Sequence, residues 1–107
     1  MTNPRTETWT IANGQTVSDA IYKQHLDLVG LVLPTLTGAN VSFQGSQDGV
    51  NYAAISYEGS AVSFAKAGGN HITCHDKWFR GIPYVKIVSD ASEGAERSIS
   101  PIFYDPK

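Results

Sequence analysis

The chain has one cysteine, Cys74, so no disulfide bond can form within it. We expect such a protein to be made in a reducing cytoplasm and to be held together by packing alone. Long apolar runs are also absent, because the longest, at 28–33, has six residues where a membrane helix needs roughly 20. The first ten residues, MTNPRTETWT, include no apolar signal-peptide segment. The sequence therefore predicts neither a membrane protein nor one exported by a signal peptide.

Positive charge is neither in excess nor clustered. Eight Lys and Arg residues stand against ten Asp and Glu residues, which gives a net charge of -2, and the basic residues are scattered along the chain. Nucleic-acid binding depends on concentrated positive charge that neutralises phosphates. We therefore expect no nucleic-acid partner. The length of 107 residues suits one domain over 1–107, with loose termini at 1–6 and 105–107.

Metal-binding patterns are weak. The segment NHITCHD supplies ligand atoms at His71, Cys74, His75 and Asp76, but a structural zinc site usually needs two separated ligand pairs and no second pair follows. We expect Cys74 to be a small buried hydrophobic residue at a strand, with His75 leaving the sheet toward solvent. The sequence predicts no metal ion and no cofactor.

Catalytic patterns are missing as well. No serine stands in a Gly-x-Ser-x-Gly elbow, where a strained turn would present a nucleophile. Asp90, Glu93 and Glu96 lie in DASEGAER, whose glycine and polarity predict a solvated loop rather than an acid-base pair. Asp48 and Asn51 offer two side-chain ligands where calcium needs six to eight oxygens. We expect a protein that is not an enzyme.

Turn signals are abundant and recur about every ten residues through most of the chain. They are Asn13-Gly14, Thr37-Gly38, Asp48-Gly49, Glu58-Gly59, Gly68-Gly69-Asn70, Arg80-Gly81 and Glu93-Gly94. Between them we predict strands at 7–11, 15–20, 26–33, 41–46, 52–57, 61–64, 71–74, 84–89 and 98–104, and no segment has a helical stripe. This spacing predicts an all-β fold, an antiparallel sandwich or barrel.

Two segments carry most of the fold prediction. In VSFQGSQDGVNYAAI at 41–55, apolar and polar residues alternate on both sides of an Asp-Gly reversal, which predicts a β-hairpin. In LDLVGLVLP at 26–34, apolar residues follow each other without alternation. That run predicts a central strand, covered on both faces or covered on one face and buried in an oligomer on the other.

The aromatic residues divide into two groups. Trp9, Phe43, Phe64 and Phe79 share the phase of their aliphatic neighbours, so we expect them in the core. Exposed rings are expected at Tyr52, Trp78, Tyr84 and Tyr104. With Ile102 they form the predicted interface residues, because Tyr and Trp are enriched where proteins bind each other. A sugar-stacking platform is the alternative interpretation.

The order of motifs resembles two kinds of β-sandwich. The Asp-Gly hairpin followed by WFRGIPYVKIVS at 78–89 resembles discoidin-like jelly rolls. With IANG at 11–14, LP at 33–34, SQDG at 46–49, FRG at 79–81 and YVKI at 84–87, the chain also resembles small β-sandwich virion proteins of tailed bacteriophages.

The resemblance implies a jelly-roll-like sandwich with a structural role. We expect a capsid decoration or cement protein that binds phage capsid or tail protein subunits and forms a homo-oligomer. It would be synthesised in the bacterial host cytoplasm and located in the virion. A small neck or tail component is one alternative. A carbohydrate-binding module is the other, because discoidin-like sandwiches often bind sugars with loops at one end.

Overall fold

The computed structural model describes residues 7–23, 26–38, 40–65 and 71–104, and the strands in these ranges make the fold all-β. They are β1 Trp9–Ile11, β2 Ile21–Tyr22, β3 Asp27–Val32, β4 Asn40–Ser46, β5 Ala53–Ala54, β6 Ser56–Tyr57, β7 Ser60–Ala61, β8 Ser63–Ala65, β9 His71–Thr73, β10 Tyr84–Ser89 and β11 Arg97–Tyr104. A short 3-10 helix, Asp76–Phe79, follows β9. The described ranges contain no α-helix. The predicted termini at 1–6 and 105–107 and the turn at 68–70 lie outside the described residues.

Two antiparallel sheets form the sandwich. One has the strand order β1-β11-β3-β9, and the other has β2-β10-β4-β5 with β8 also paired to β4. Successive strands alternate between the sheets at both ends of the chain, from β1 to β4 and again from β9 to β11. This is the strand order of a jelly roll, in which two Greek keys share one core. The predicted antiparallel, jelly-roll-like sandwich is therefore confirmed.

The core between the sheets is built around three aromatic rings. Phe43 lies 4.9 Å from Phe79 in an edge-on arrangement and 6.2 Å from Trp9, measured between ring centroids. All three are buried, as predicted. The indole Nε1 of Trp9 donates a hydrogen bond of 2.9 Å to the Val85 carbonyl, so its one polar atom is satisfied. The side chain of Phe64 lies outside the described residues.

The apolar segment at 26–33 is a central strand, as predicted, because β3 lies between β11 and β9. Leu28 and Leu31 are fully buried in the sandwich, whereas Val29 and Val32 are half-buried. The register of β11 against β3 shifts between Ile102 and Phe103, so the buried leucines are three residues apart. Whether another chain covers the half-buried valines stays a prediction.

The prediction of a strand at 15–20 is wrong. Only an isolated bridge between Val17 and Val88 forms there. Ser18 N–H donates to the Ile87 carbonyl, but the Ile87 N–H donates to the Ser18 hydroxyl at 3.0 Å. A side chain therefore replaces the backbone acceptor, and the ladder that defines a strand does not continue. The actual strand, Ile21–Tyr22, comes directly after the predicted one.

The hairpin predicted at 41–55 is confirmed, since β4 pairs with β5 across the Asp-Gly turn. The strand predicted at 52–57 is interrupted, however. The β6–β7 hairpin leaves the sheet after β5, and β8 returns to pair with β4. Glu58 and Gly59 connect β6 to β7 with φ angles of 52° and 83°. Two consecutive positive φ angles are typical of a type I′ turn.

Glu58→Asn is expected to stabilise the chain. For a residue other than glycine, a left-handed backbone conformation costs about 1–2 kcal/mol, and asparagine adopts this conformation more readily than glutamate. We expect the free energy of unfolding to rise by about 0.5–1 kcal/mol, because Asn-Gly is a preferred type I′ sequence. Urea unfolding measures the change, with Glu96→Asn as the control at an exposed glutamate. An equal change in both variants would contradict the turn assignment.

Candidate interaction surface

The five predicted interface residues lie in three places. Tyr52 and Tyr84 are neighbours on the outer side of the sheet that contains β4 and β10. Ile102 and Tyr104 lie on the outer side of β11, since Phe103 between them is buried. Trp78 is in the 3-10 helix. The structure therefore does not bring the predicted set together.

A cross-strand tyrosine pair dominates the outer side of β10. Val85 and Ile87 on this strand are buried, so Tyr84 and Lys86 point the other way. Tyr84 is paired in register with Tyr22 of β2, and the two rings stack at a centroid distance of 4.7 Å. Cross-strand aromatic pairs of this kind stabilise a sheet and restrict the rotamers of both rings.

Tyr52 extends this aromatic pair. The Nζ atom of Lys86 lies 4.2 Å from the centroid of the Tyr52 ring, a cation-π distance. Partial burial raises the pKa of the Tyr52 phenol, and Tyr84 and Asp48 raise it further. Tyr22, Tyr52, Tyr84 and Lys86 are called the tyrosine surface below.

A tightly bonded turn lies beside the tyrosine surface. The Asp48 carboxylate accepts hydrogen bonds from the N–H groups of Val50 and Asn51, the Asn51 amide and the Ser46 hydroxyl, all within 2.9 Å. The bonds from Asn51, Val50 and Ser46 hold the pKa of Asp48 well below its usual range. The Ser46 hydroxyl also accepts from the Gly49 N–H at 2.9 Å. Both carboxylate oxygens of Asp48 therefore accept hydrogen bonds from within the turn.

Two depressions open near these elements. The larger, about 470 Å³, lies beside the turn, and its lining includes the small residues Gly45, Ala53 and Ala54. The smaller, about 190 Å³, lies between the β6–β7 hairpin and the 3-10 helix and includes Tyr57 and Trp78.

Trp78 is less available than predicted. It is half-buried, and its ring centroid is 6.2 Å from that of His75 and 6.3 Å from that of Phe79. His75 in turn lies 5.7 Å from the Tyr57 ring. Trp78 therefore belongs to a local aromatic cluster at the smaller depression and is separate from the tyrosine surface.

Within the candidate ligand segment NHITCHD, the described residues 71–76 form the strand His71–Thr73 and the start of the 3-10 helix, which His75 caps. Cys74 is buried, as predicted, and burial raises the pKa of its thiol to about 12. His71 and His75 are exposed, and the Nδ1 atom of His75 accepts a hydrogen bond from the Lys77 N–H at the start of the 3-10 helix. Within the ranges that the structure describes, no three His, Cys, Asp or Glu side chains are grouped as metal ligands would be.

The prediction of a solvated loop is wrong for Glu93, although Asp90 and Glu96 are exposed. The Glu93 side chain has no exposed surface. Its carboxylate accepts hydrogen bonds from four donors, the Thr37 and Gly38 N–H groups, the Ser89 hydroxyl and Arg97 Nε, at 2.7 to 3.1 Å. Burial alone would raise the pKa of Glu93, but the bonds from Thr37, Ser89, Gly38 and Arg97 lower it to about 2. Glu93 thus connects the loop after β3 to the loop after β10.

Sequence reasoning also missed Tyr22, which is 45% exposed. Its signal was the alternation of Ile21 and Tyr22, which continues past the end of the strand predicted at 15–20. Glu93 had no comparable signal, because two of its four donors, Thr37 and Gly38, are 56 and 55 residues away in the sequence.

Comparison with protein-family models, with curated proteins and with solved structures finds no match for this chain. In the part of the chain that the structure describes, no helix is long and apolar enough to cross a membrane. The jelly-roll fold and the tyrosine surface are therefore the basis for a functional proposal.

Proposed function

We propose that the chain is a non-enzymatic structural protein of a tailed-bacteriophage virion, a capsid decoration or cement protein that binds other protein subunits. One observation supports binding to another protein: three tyrosine rings and a lysine lie together on the outer side of one sheet. The assignment to a virion is based on the resemblance of the motif order. Tyr, with Trp and Arg, is enriched in protein interfaces and dominates their binding energy.

The tyrosine surface has the properties that such an interface needs. Tyr22 is 45% exposed, so a partner can cover a large part of its ring. Its stack on Tyr84 already restricts both rings, which reduces the side-chain entropy that binding would cost. Lys86 adds one positive charge over Tyr52, to which an acidic residue of the partner can bind.

Two acidic residues, Asp48 and Glu93, fit a structural role better than a catalytic one. The Asp48 and Glu93 carboxylates both have a lowered pKa, and hydrogen bonds within the fold occupy them. A general base works best with a pKa near the working pH and with access to substrate. Neither carboxylate has such a pKa, and the Glu93 side chain is also buried.

Carbohydrate binding is the second candidate function. The smaller depression places the Trp78 and Tyr57 rings beside the hydroxyls of Ser60 and Ser63, groups that can stack on and hydrogen-bond a sugar. Affinity electrophoresis against immobilised glycans, with the wild type and Trp78→Ala, separates the two functions. Retardation that disappears in Trp78→Ala would favour the sugar-binding module.

Purified virus particles from the genome that encodes the chain test the proposal. We expect quantitative gel analysis and mass spectrometry to find the chain in many copies per particle, in a fixed ratio to the major capsid protein. A few copies per particle would favour a neck or tail component instead. Absence from purified particles would overturn the proposal.

Tyr22→Ala is expected to reduce the copy number in particles by about tenfold or more, because truncating a tyrosine at the centre of an interface costs about 2 kcal/mol or more. Tyr104→Ala is the matched control, since Tyr104 is 41% exposed on the opposite sheet. We expect its copy number to stay near that of the wild type. The reverse result would assign the interface to Ile102 and Tyr104.

A further inference from the structure

The Asp48-Gly49 turn contacts the tyrosine surface directly. A Cβ atom placed on Gly49 would lie 3.1 to 3.4 Å from three atoms of the Tyr84 ring. The turn backbone therefore lies against the ring, so close that a side chain at Gly49 would require the ring to shift by a few tenths of an ångström. Because Tyr84 stacks on Tyr22, a shift of its ring would change the arrangement of both tyrosines.

Gly59 provides a contrast within the same chain. Its φ of 83° is close to the 79° of Gly49, and each glycine follows an acidic residue in a turn between two strands. Among the atoms that the structure describes, none lies within 4 Å of a Cβ placed on Gly59. At Gly59, glycine is needed only because the φ angle is positive. At Gly49, the absence of a side chain also leaves room for the Tyr84 ring.

Asp48 fixes the place of Gly49. Its carboxylate accepts hydrogen bonds from the backbone on the far side of the turn, at Val50 and Asn51. On the near side, the Ser46 hydroxyl donates to Asp48 and accepts from the Gly49 N–H. The glycine is thus held from both sides at the point where it contacts Tyr84.

We infer that Asp48 and Gly49 are positioning residues for the tyrosine surface, and that the turn holds Tyr84 against Tyr22 so that a preformed surface meets the partner. Preorganisation of this kind lowers the entropy cost of binding. The biological meaning of the inference rests on the proposed function, but the positioning itself is a property of the isolated chain.

Proton NMR of Gly49→Ala and Gly59→Ala tests the positioning. Both variants introduce a Cβ at a positive φ, so both are expected to lose stability, and Gly59→Ala controls for the effect of the backbone conformation. We expect the nuclear Overhauser cross-peaks between the Tyr22 and Tyr84 rings to change in intensity in Gly49→Ala and to keep their wild-type intensity in Gly59→Ala. If both variants keep the wild-type intensities of these cross-peaks, the inference is wrong.

Asp48→Ala is the second test, and it remains decisive if Gly49→Ala does not fold. The Asp48 side chain is exposed, so its removal loosens the turn without opening the core. We expect weaker Tyr22–Tyr84 cross-peaks and fewer copies of the variant on particles, although both tyrosines are still present. Unchanged cross-peaks would overturn the positioning. Weaker cross-peaks with unchanged copy number would support the positioning and count against the proposed use of the surface.

Discussion

Phe43→Ala is expected to lower the free energy of unfolding by about 3–5 kcal/mol, the usual range for a buried phenylalanine. Phe43 is 1% exposed and lies between Trp9 and Phe79, the other two rings of the core. Its removal leaves a cavity between the two sheets, and the rings around that cavity lose their contacts.

Urea unfolding followed by tryptophan fluorescence measures this loss. The matched control is Val50→Ala, because Val50 is 78% exposed at the hairpin turn and surface substitutions usually change stability by no more than about 0.5 kcal/mol. A loss below about 1 kcal/mol in Phe43→Ala would mean that the core is not built around this ring.

Glu93→Gln is expected to lower the free energy of unfolding by about 3 kcal/mol at neutral pH. The pKa of Glu93 falls from an ordinary 4.5 to about 2 on folding, and each pKa unit corresponds to about 1.4 kcal/mol. Because the pKa of Glu93 is lower in the folded chain, its ionised carboxylate stabilises the fold at pH values above about 4.5. This stabilisation is lost as the pH falls from about 4.5 to about 2. Glutamine keeps the shape of the side chain but offers the four donors only one oxygen and no charge.

Unfolding experiments at a series of pH values between 7 and 3 test this prediction. We expect the wild type to lose stability steeply below pH 4.5, and Glu93→Gln to show a shallower decline. Glu96→Gln is the control in the same loop, because Glu96 is exposed. Parallel pH curves for the wild type and Glu93→Gln would contradict the assignment of a buried, ionised Glu93.

The sequence predicts well those strands in which buried side chains alternate with outward-facing ones. The strand Tyr84–Ser89 was predicted with its exact bounds, since buried Val85, Ile87 and Ser89 alternate with outward residues. At 15–20 the pattern is similar, but the Ser18 hydroxyl accepts the hydrogen bond of the Ile87 N–H, and the backbone ladder ends there. Side-chain hydrogen bonds of this kind leave no mark on hydrophobic periodicity.

The candidate surface was predicted only in part for a related reason. Alternation shows that Tyr84 and Tyr104 point away from the core, but it does not show that their strands belong to different sheets. Sheet membership depends on contacts between distant residues. Tyr22 pairs with Tyr84 from the far end of the chain, so the two tyrosines meet only once the jelly-roll topology is known.

Sedimentation of the wild-type chain, first alone and then mixed with particles assembled without it, tests most directly whether the protein works by binding other protein subunits. We expect saturable co-sedimentation at a fixed ratio of chains to capsid subunits, with a buried area on the order of 1,000 Å² or more for each stable contact. Self-association of the isolated chain would agree with the predicted homo-oligomer. A chain that stays monomeric, does not sediment with the particles and binds a defined sugar would contradict the account.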